Sequence, residues 1–333
     1  MTTAYFRDAA DGYLKLPLLW RQDLKPFRRA LNNADIVLLR VRHHAAPLIA
    51  LMARNRNLPM ALWWAAPLLA SIEKNYEQAG MKNRLARVIG RYEESVLARL
   101  GNSAAVNFFL DEDAYIAAGM PANACWPVPN LVSQSDFVDE PAPRANDTFT
   151  ICFAGRLMRH KGIFDLLTGF EALADEFNHI RLSVAGTGTA EDEFRRAAQA
   201  SRHAARIGFA GHLRRQAVLD FLKQADVMVL PSYAEGLPKV LWECWSMGTP
   251  VIVTDVGGLA RFARNNENAL MFPPGDMAGL IRAMRRMISD EDARHRIASS
   301  GLETARAYSW EGQINYLRRI LAEAAGQAKI SGK

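Results

Sequence analysis

From Thr148 to Ala307 the chain alternates short β-branched or apolar runs with amphipathic stretches. Strands are predicted at Thr148–Ala154, Ile180–Ala185, Ile207–Ala210, Val227–Leu230, Pro250–Thr254 and Ala269–Phe272. Helices are predicted at Ile163–Glu176, Ala190–Ala200, Gln216–Gln224, Pro238–Met247, Asp276–Ile288 and Asp290–Ala307. Strand–helix alternation of this kind builds a parallel sheet covered by helices on both faces, because the crossover helices must lie against it. Ligands of such sheets bind in the loops at the carboxyl ends of the strands.

The first part of the chain carries a weaker version of the same pattern. Ala34–Val41 and Met60–Trp64 read as strands flanking a helix at Ala45–Arg54, and a third strand is expected at Ala104–Phe109. Met81–Leu100 has apolar residues at helical spacing, and its basic residues allow either a core helix or a membrane-surface helix; the stripe has the width of a core helix. The polar stretch VDEPAPRAND, about residues 138–148, reads as a linker. A length of 333 residues fits two domains at roughly 100–200 residues each. The expected division is an N-terminal domain over 1–140, a second over 148–310, and a C-terminal helix and tail over 311–333.

Three cysteines, Cys125, Cys152 and Cys244, are too dispersed for a disulfide framework or a zinc cluster. No apolar run reaches the roughly 18–20 residues of a spanning helix. The start, MTTAYFRDAADGY, has acids where a secretory leader needs a basic and then an apolar run, so a cytoplasmic chain is expected. The net charge of +6 is uneven: residues 1–110 hold 16 Lys/Arg and 8 Asp/Glu (+8), leaving 25 and 27 (−2) for the rest. A basic first part suits an anionic partner, either a phosphorylated acceptor or the inner face of a membrane met peripherally, or is simply a solvated basic surface. Nucleic acid is not expected, since no nucleic-acid motif is present.

Four strand-end segments could carry chemistry. In PSYAEGLPKVLWECWSMGTPVIVTDVGG, a strand ends at Leu230, Pro238 stands where a helix begins and Gly248 where it stops. The N–H groups near Lys239 and Val240 would then be free at the positive end of the helix, a phosphate-binding arrangement. Glu235 precedes this helix and Glu243 lies within it, with roughly 7–8 Å of helix between Pro238 and Glu243. Two carboxylates so placed could hold hydroxyls of two sugar rings across a bridging phosphate, although Glu pairs also arise as plain ion-pair partners. FAGRLMRHKG places Arg156 and Lys161 after a strand and Gly155, where two cations could neutralise a diphosphate. VAGTGTAEDEF supplies Gly186 and Gly188, a turn lacking the third glycine and the acid of a dinucleotide site. GFAGHL ends a strand with backbone free to meet a base edge.

Taken together and in this order, these segments resemble the retaining glycosyltransferases of family 4, which have the GT-B fold. The resemblance runs from about Phe149 to Trp310 and includes NENALMFPPGD, ending at Asp276, and YSWE, Tyr308–Glu311. It implies two Rossmann-like parallel-sheet domains facing across a cleft. By position, it implies that Glu235 holds donor-sugar hydroxyls and Glu243 the ribose, while Arg156 and Lys161 bind the departing diphosphate. It also implies that Gly155, Gly186, Gly236, Leu237, Lys239 and Val240 meet sugar and phosphate, and that His212 and Leu213 meet the base. No metal and no cofactor are implied, the nucleotide sugar being a substrate.

The N-terminal part is similar to the acceptor domain of that family, but reduced. Nothing before Ala34 matches its first strand and Gly-Gly loop, and no His follows Trp64. His43 and His44 are the acceptor-side candidates, with solvated loop residues as their simpler reading. The expected activity is transfer of a hexose from a UDP- or GDP-linked sugar to a glycan or lipid-linked acceptor in cell-surface polysaccharide synthesis. The alternatives are a non-catalytic nucleotide-sugar-binding or scaffold relative in a glycan assembly complex, and a sugar-nucleotide epimerase of similar fold.

Overall fold

A computed structural model of the chain describes residues 29–40, 46–64, 99, 101–109, 120–125, 128, 132–141 and 147–331. The expected helix at Met81–Leu100, the position after Trp64, the segment before Ala34 up to residue 28, and His43 and His44 lie largely or wholly outside these residues. The chain forms two compact units: residues 1–127 with 315–333, and residues 128–314.

Among the described residues, the first unit holds a four-stranded parallel sheet in the order β1-β2-β3-β4. Its strands are β1 (Val37–Arg40), β2 (Met60–Trp64), β3 (Val106–Phe109) and β4 (Ala124–Cys125), with helix α1 (Ala46–Arg54) between the first two. All four residues of β3 are buried, including Asn107. Asn107 tolerates this because every polar group is partnered: Oδ1 accepts from Trp64 Nε1 at 2.9 Å, and Nδ2 donates to Gly101 O and to Asn123 Oδ1, both at 2.8 Å. Trp64 also stacks on Phe109 at 5.5 Å. The Trp63-Trp64 pair is thus strand packing.

The second unit is a six-stranded, wholly parallel sheet in the order β10-β9-β8-β5-β6-β7. The strands are β5 (Phe149–Ala154), β6 (Ile180–Ala185), β7 (Ile207–Gly211), β8 (Val227–Leu230), β9 (Val251–Thr254) and β10 (Leu270–Phe272). The helices are α2 (Ile163–Ala174), α3 (Glu191–Ala200), α4 (Arg215–Lys223), α5 (Lys239–Ser246), α6 (Gly257–Phe262), α7 (Met277–Ser289) and α8 (Glu291–Ala307). A last helix, α9 (Trp310–Ser331), contains the unit boundary at 314/315. Strands β8 and β9 are buried at every position, as continuous apolar runs require when both sheet faces are covered. Gly301 lets α8 approach α5 closely: a Cβ there would stand 2.4 Å from Trp245 Cδ1.

The chain builds β5, β6 and β7 outward, then returns to place β8 on the other side of β5. The strand order therefore reverses between β5 and β8, and a crevice opens at their carboxyl ends. The second unit begins ahead of the 138–148 stretch, because Val128 and Val132 are buried in its core and Val138 N donates to Ser246 O at 3.0 Å.

Candidate functional site

Above that reversal lies a hollow of about 450 Å³, lined by the ends of β5, β6 and β8, the loop after β7 and the start of α5. The loops forming its floor interlock through backbone contacts. Gly155 N donates to Ala185 O at 3.0 Å, Leu157 N to Thr187 O at 2.9 Å and Gly186 N to Gly211 O at 2.7 Å. Gly186 adopts a φ of +132°, and a Cβ there would fall 1.8 Å from Gly155 O. The G-x-G turn is thus required by the close approach of two loops.

Glu235, Glu243, Arg156 and Lys161 all line this hollow, as do Gly155, Gly186, His212, Leu213, Lys239 and Val240. Gly236 and Leu237 do not. Leu237 packs against the core, and Gly236 is exposed with its carbonyl beneath Gly258. Thr187, Val218 and Pro238 line the hollow without having been expected there. Val218 faces it from α4, a direction set by packing and carrying no mark in the sequence.

Pro238 is the N-cap of α5 (φ −71°, ψ 127°), one residue ahead of its expected place as the first helical residue. The N–H groups of Lys239 and Val240 consequently have no acceptor within the helix and sit at its positive end. Gly248, with φ +63°, ends the segment as expected, and Thr249 N donates to Cys244 O at 2.9 Å.

The charges form two pairs and one unpaired cation. Lys161 Nζ lies 2.7 Å from Glu235 Oε1, with side chains 14% and 7% exposed. The same Oε1 accepts from Ser232 Oγ at 2.8 Å. Lys239 Nζ lies 3.0 Å from Glu243 Oε1, with side chains 41% and 8% exposed. Arg156 is exposed and has no ion-pair partner among the described residues. Three cations against two carboxylates, plus a helix N-terminus, favour an anionic occupant.

The loops bearing these groups are tied together. Tyr233 N donates to His160 O at 2.8 Å, and Tyr233 Oη donates to Asp165 Oδ2 at 2.7 Å. That carboxylate pushes the Tyr233 hydroxyl pKa above its ordinary value, so the phenol keeps its proton. Gly162, at φ +66°, passes so close to Pro231 that a Cβ would be 2.0 Å from its carbonyl oxygen. Burial, then the nearby Cys152 and Glu243, raise the Cys244 thiol well above its ordinary range, so it is no nucleophile. A second hollow of about 420 Å³ involves Thr150, Arg181, Ser183 and Gly208 on β5–β7; no carboxylate among the described residues lines it.

Comparison with known proteins agrees with this architecture. A family model described as glycosyl transferases group 1 matches residues 135–304, just over half of the chain. The glycogen synthase of Mycobacterium tuberculosis (strain CDC 1551 / Oshkosh) is 30% identical over 184 residues, 55% of this chain and 42% of that protein. The chain thus spans less than half the length of that relative. The phosphatidyl-myo-inositol mannosyltransferase of Mycobacterium leprae (strain TN) is 26% identical over 302 residues, 90% of this chain and 76% of that protein. Among solved structures, Anabaena Alr3699/HepE in complex with UDP and glucose superposes with a TM-score of 0.65 at 15% identity, over 90% of this chain and 83% of that one. Such neighbours share the GT-B fold, in keeping with the two parallel sheets described above. By the extent of the family match, this chain belongs to the glycosyl transferases group 1 family.

Proposed function

We propose that the chain is a retaining hexosyltransferase of glycosyltransferase family 4. It takes a hexose from a UDP- or GDP-linked donor to a glycan or lipid-linked acceptor, in the synthesis of a cell-surface polysaccharide. The observation that carries this reading is the convergence of Glu235, Glu243, Arg156 and Lys161 on one hollow beside the N-terminus of α5.

In this reading the donor diphosphate lies against the free N–H groups of Lys239 and Val240, with Arg156 and Lys161 neutralising it. Glu243 accepts from the ribose hydroxyls and Glu235 from those of the transferred sugar. Gly155 and Gly186 leave room for the phosphates, and His212 and Leu213 border the base. The acceptor hydroxyl oxygen bonds to the anomeric carbon as the bond to the diphosphate oxygen breaks on the same face, its proton passing to that departing oxygen, so the anomeric configuration is retained. Placement and charge stabilisation of the departing diphosphate supply the catalysis, with no resident metal or cofactor. The UDP and glucose named with Alr3699/HepE, which shares the fold, support a uridine nucleotide as the first donor to try. The basic residues of 1–110 would hold a cytoplasmic chain peripherally against an anionic inner membrane face, where a lipid-linked acceptor resides.

Calorimetric titration with UDP, GDP, UDP-glucose and GDP-mannose, alongside a donor-turnover assay, tests the reading. Glu235→Ala is expected to abolish turnover. Arg156→Ala and Lys161→Ala are each expected to weaken nucleotide binding about 10- to 100-fold, the worth of a lost charged hydrogen bond. Full activity in all three variants would refute the assigned roles. Nucleotide-sugar binding by a wild-type chain that turns nothing over would favour the non-catalytic scaffold reading instead.

A further inference from the structure

We infer that Ser232 is a positioning residue that decides which oxygen of Glu235 faces the donor sugar. The inference rests on the donor site proposed above. Among the described residues, both short contacts of the Glu235 carboxylate fall on one atom: Oε1 receives Ser232 Oγ at 2.8 Å and Lys161 Nζ at 2.7 Å. Oε2 is left to accept from hydroxyls of a bound sugar. The two holders are not equivalent. Lys161 is a point charge on a flexible stem, and a diphosphate in the hollow competes with Glu235 for it. Ser232 is fully buried, directly follows the β8–Pro231 stretch, and has its own carbonyl fixed by Thr254 Oγ1 at 2.6 Å from the end of β9. When the diphosphate draws on Lys161, Ser232 is the contact that keeps Oε1 turned inward and Oε2 presented.

The experiment is a double-mutant cycle on the full chain: wild type, Ser232→Ala, Glu235→Gln and the double variant. Each is titrated with UDP, GDP, UDP-glucose and GDP-mannose. The quantity read is the ratio of nucleotide-sugar affinity to bare-nucleotide affinity. Ser232→Ala is expected to lower that ratio about tenfold while bare-nucleotide binding stays within about twofold, which also shows that the variant is folded. In the Glu235→Gln background, Ser232→Ala is expected to change the ratio no further, because the two residues act as one unit. Equal losses for sugar and bare nucleotides would show general damage and overturn the assignment. So would an undiminished Ser232→Ala effect in the Glu235→Gln background, or no effect of Ser232→Ala at all. A wild-type chain that binds none of the four compounds, or binds sugar and bare nucleotides equally, removes the donor-sugar role of Glu235 and the role of Ser232 with it.

Discussion

At the N-terminal turn of α9, Glu311 holds a segment distant in sequence. Its Oε1 accepts from Ser133 Oγ at 2.7 Å and its Oε2 from Gln134 N at 3.1 Å. These bonds favour the ionised form, the Ser133 hydroxyl most of all, and keep the Glu311 pKa below its ordinary value. A depressed carboxylate stabilises the fold fully above its unfolded pKa and loses that contribution as pH falls through the folded value. Glu311→Gln is therefore expected to lower the Tm at pH 7, and the gap from wild type should close on acidification below about pH 4. A gap that is constant with pH would show that ionisation is irrelevant there. The YSWE motif marked this residue in the sequence, but not its partner, since a separation of 178 positions is invisible without the fold. The same contrast holds in the hollow. Glu235, Arg156 and Lys161 are legible as charges in loops that follow strands, and Glu243 as a carboxylate eight positions beyond Glu235 in the following helix; the order of the motifs, which resembles the family's, is what singles the four out from ordinary ion-pair partners. Ser232 is not legible, because its contact is set by the turn following β8. Lys239 is a local misfit: a cation at the positive end of a helix, placed before its Glu partner in the less favourable order.

Elements followed the periodicity closely. Strands β6 and β8 span the residues expected, and α2 stops two residues short of its expected end, at Ala174. In the second unit the sequence reading has no helix at α6, because Gly257-Gly258 reads as a turn. Packing explains the glycines: a Cβ on Gly257, at φ +50°, would fall 1.9 Å from Glu235 O, and one on Gly258 would fall 2.2 Å from Gly236 O. This glycine pair is the seat on which the Glu235–Gly236 loop rests. Gly257→Ala is expected to cost about 1–3 kcal/mol in a denaturant melt, from strain at positive φ and displacement of that loop. Gly326, exposed in α9 with open space around it, is the control. Gly326→Ala should stabilise by about 0.5–1 kcal/mol through helix propensity alone. Equal behaviour of the two variants would deny the seat its role.

At the scale of the molecule, the sequence showed two sheet-bearing parts but not their limits. The polar composition of 138–148 looks like a boundary, but the burial of Val128 and Val132 in the second core puts the start of that unit ahead of it. Charge is legible throughout, since it follows from residue type alone. With +8 on residues 1–110, the chain is expected to bind phosphatidylglycerol vesicles at low salt. It should leave them at about 1 M salt, where the screening length falls to about 3 Å. Retention at high salt, or equal binding to neutral vesicles, would exclude an electrostatic attachment.

The return of α9 to the first unit has a consequence for how the protein is made. Leu317, Ile320, Leu321 and Ala324 pack against Ala61, Val106 and Phe108 of β2 and β3. A nascent chain has emitted both of those strands, and the whole of the second unit, before these four residues emerge from the ribosome. These two strands therefore wait for the synthesis of the entire second unit before the cover that α9 gives them can form.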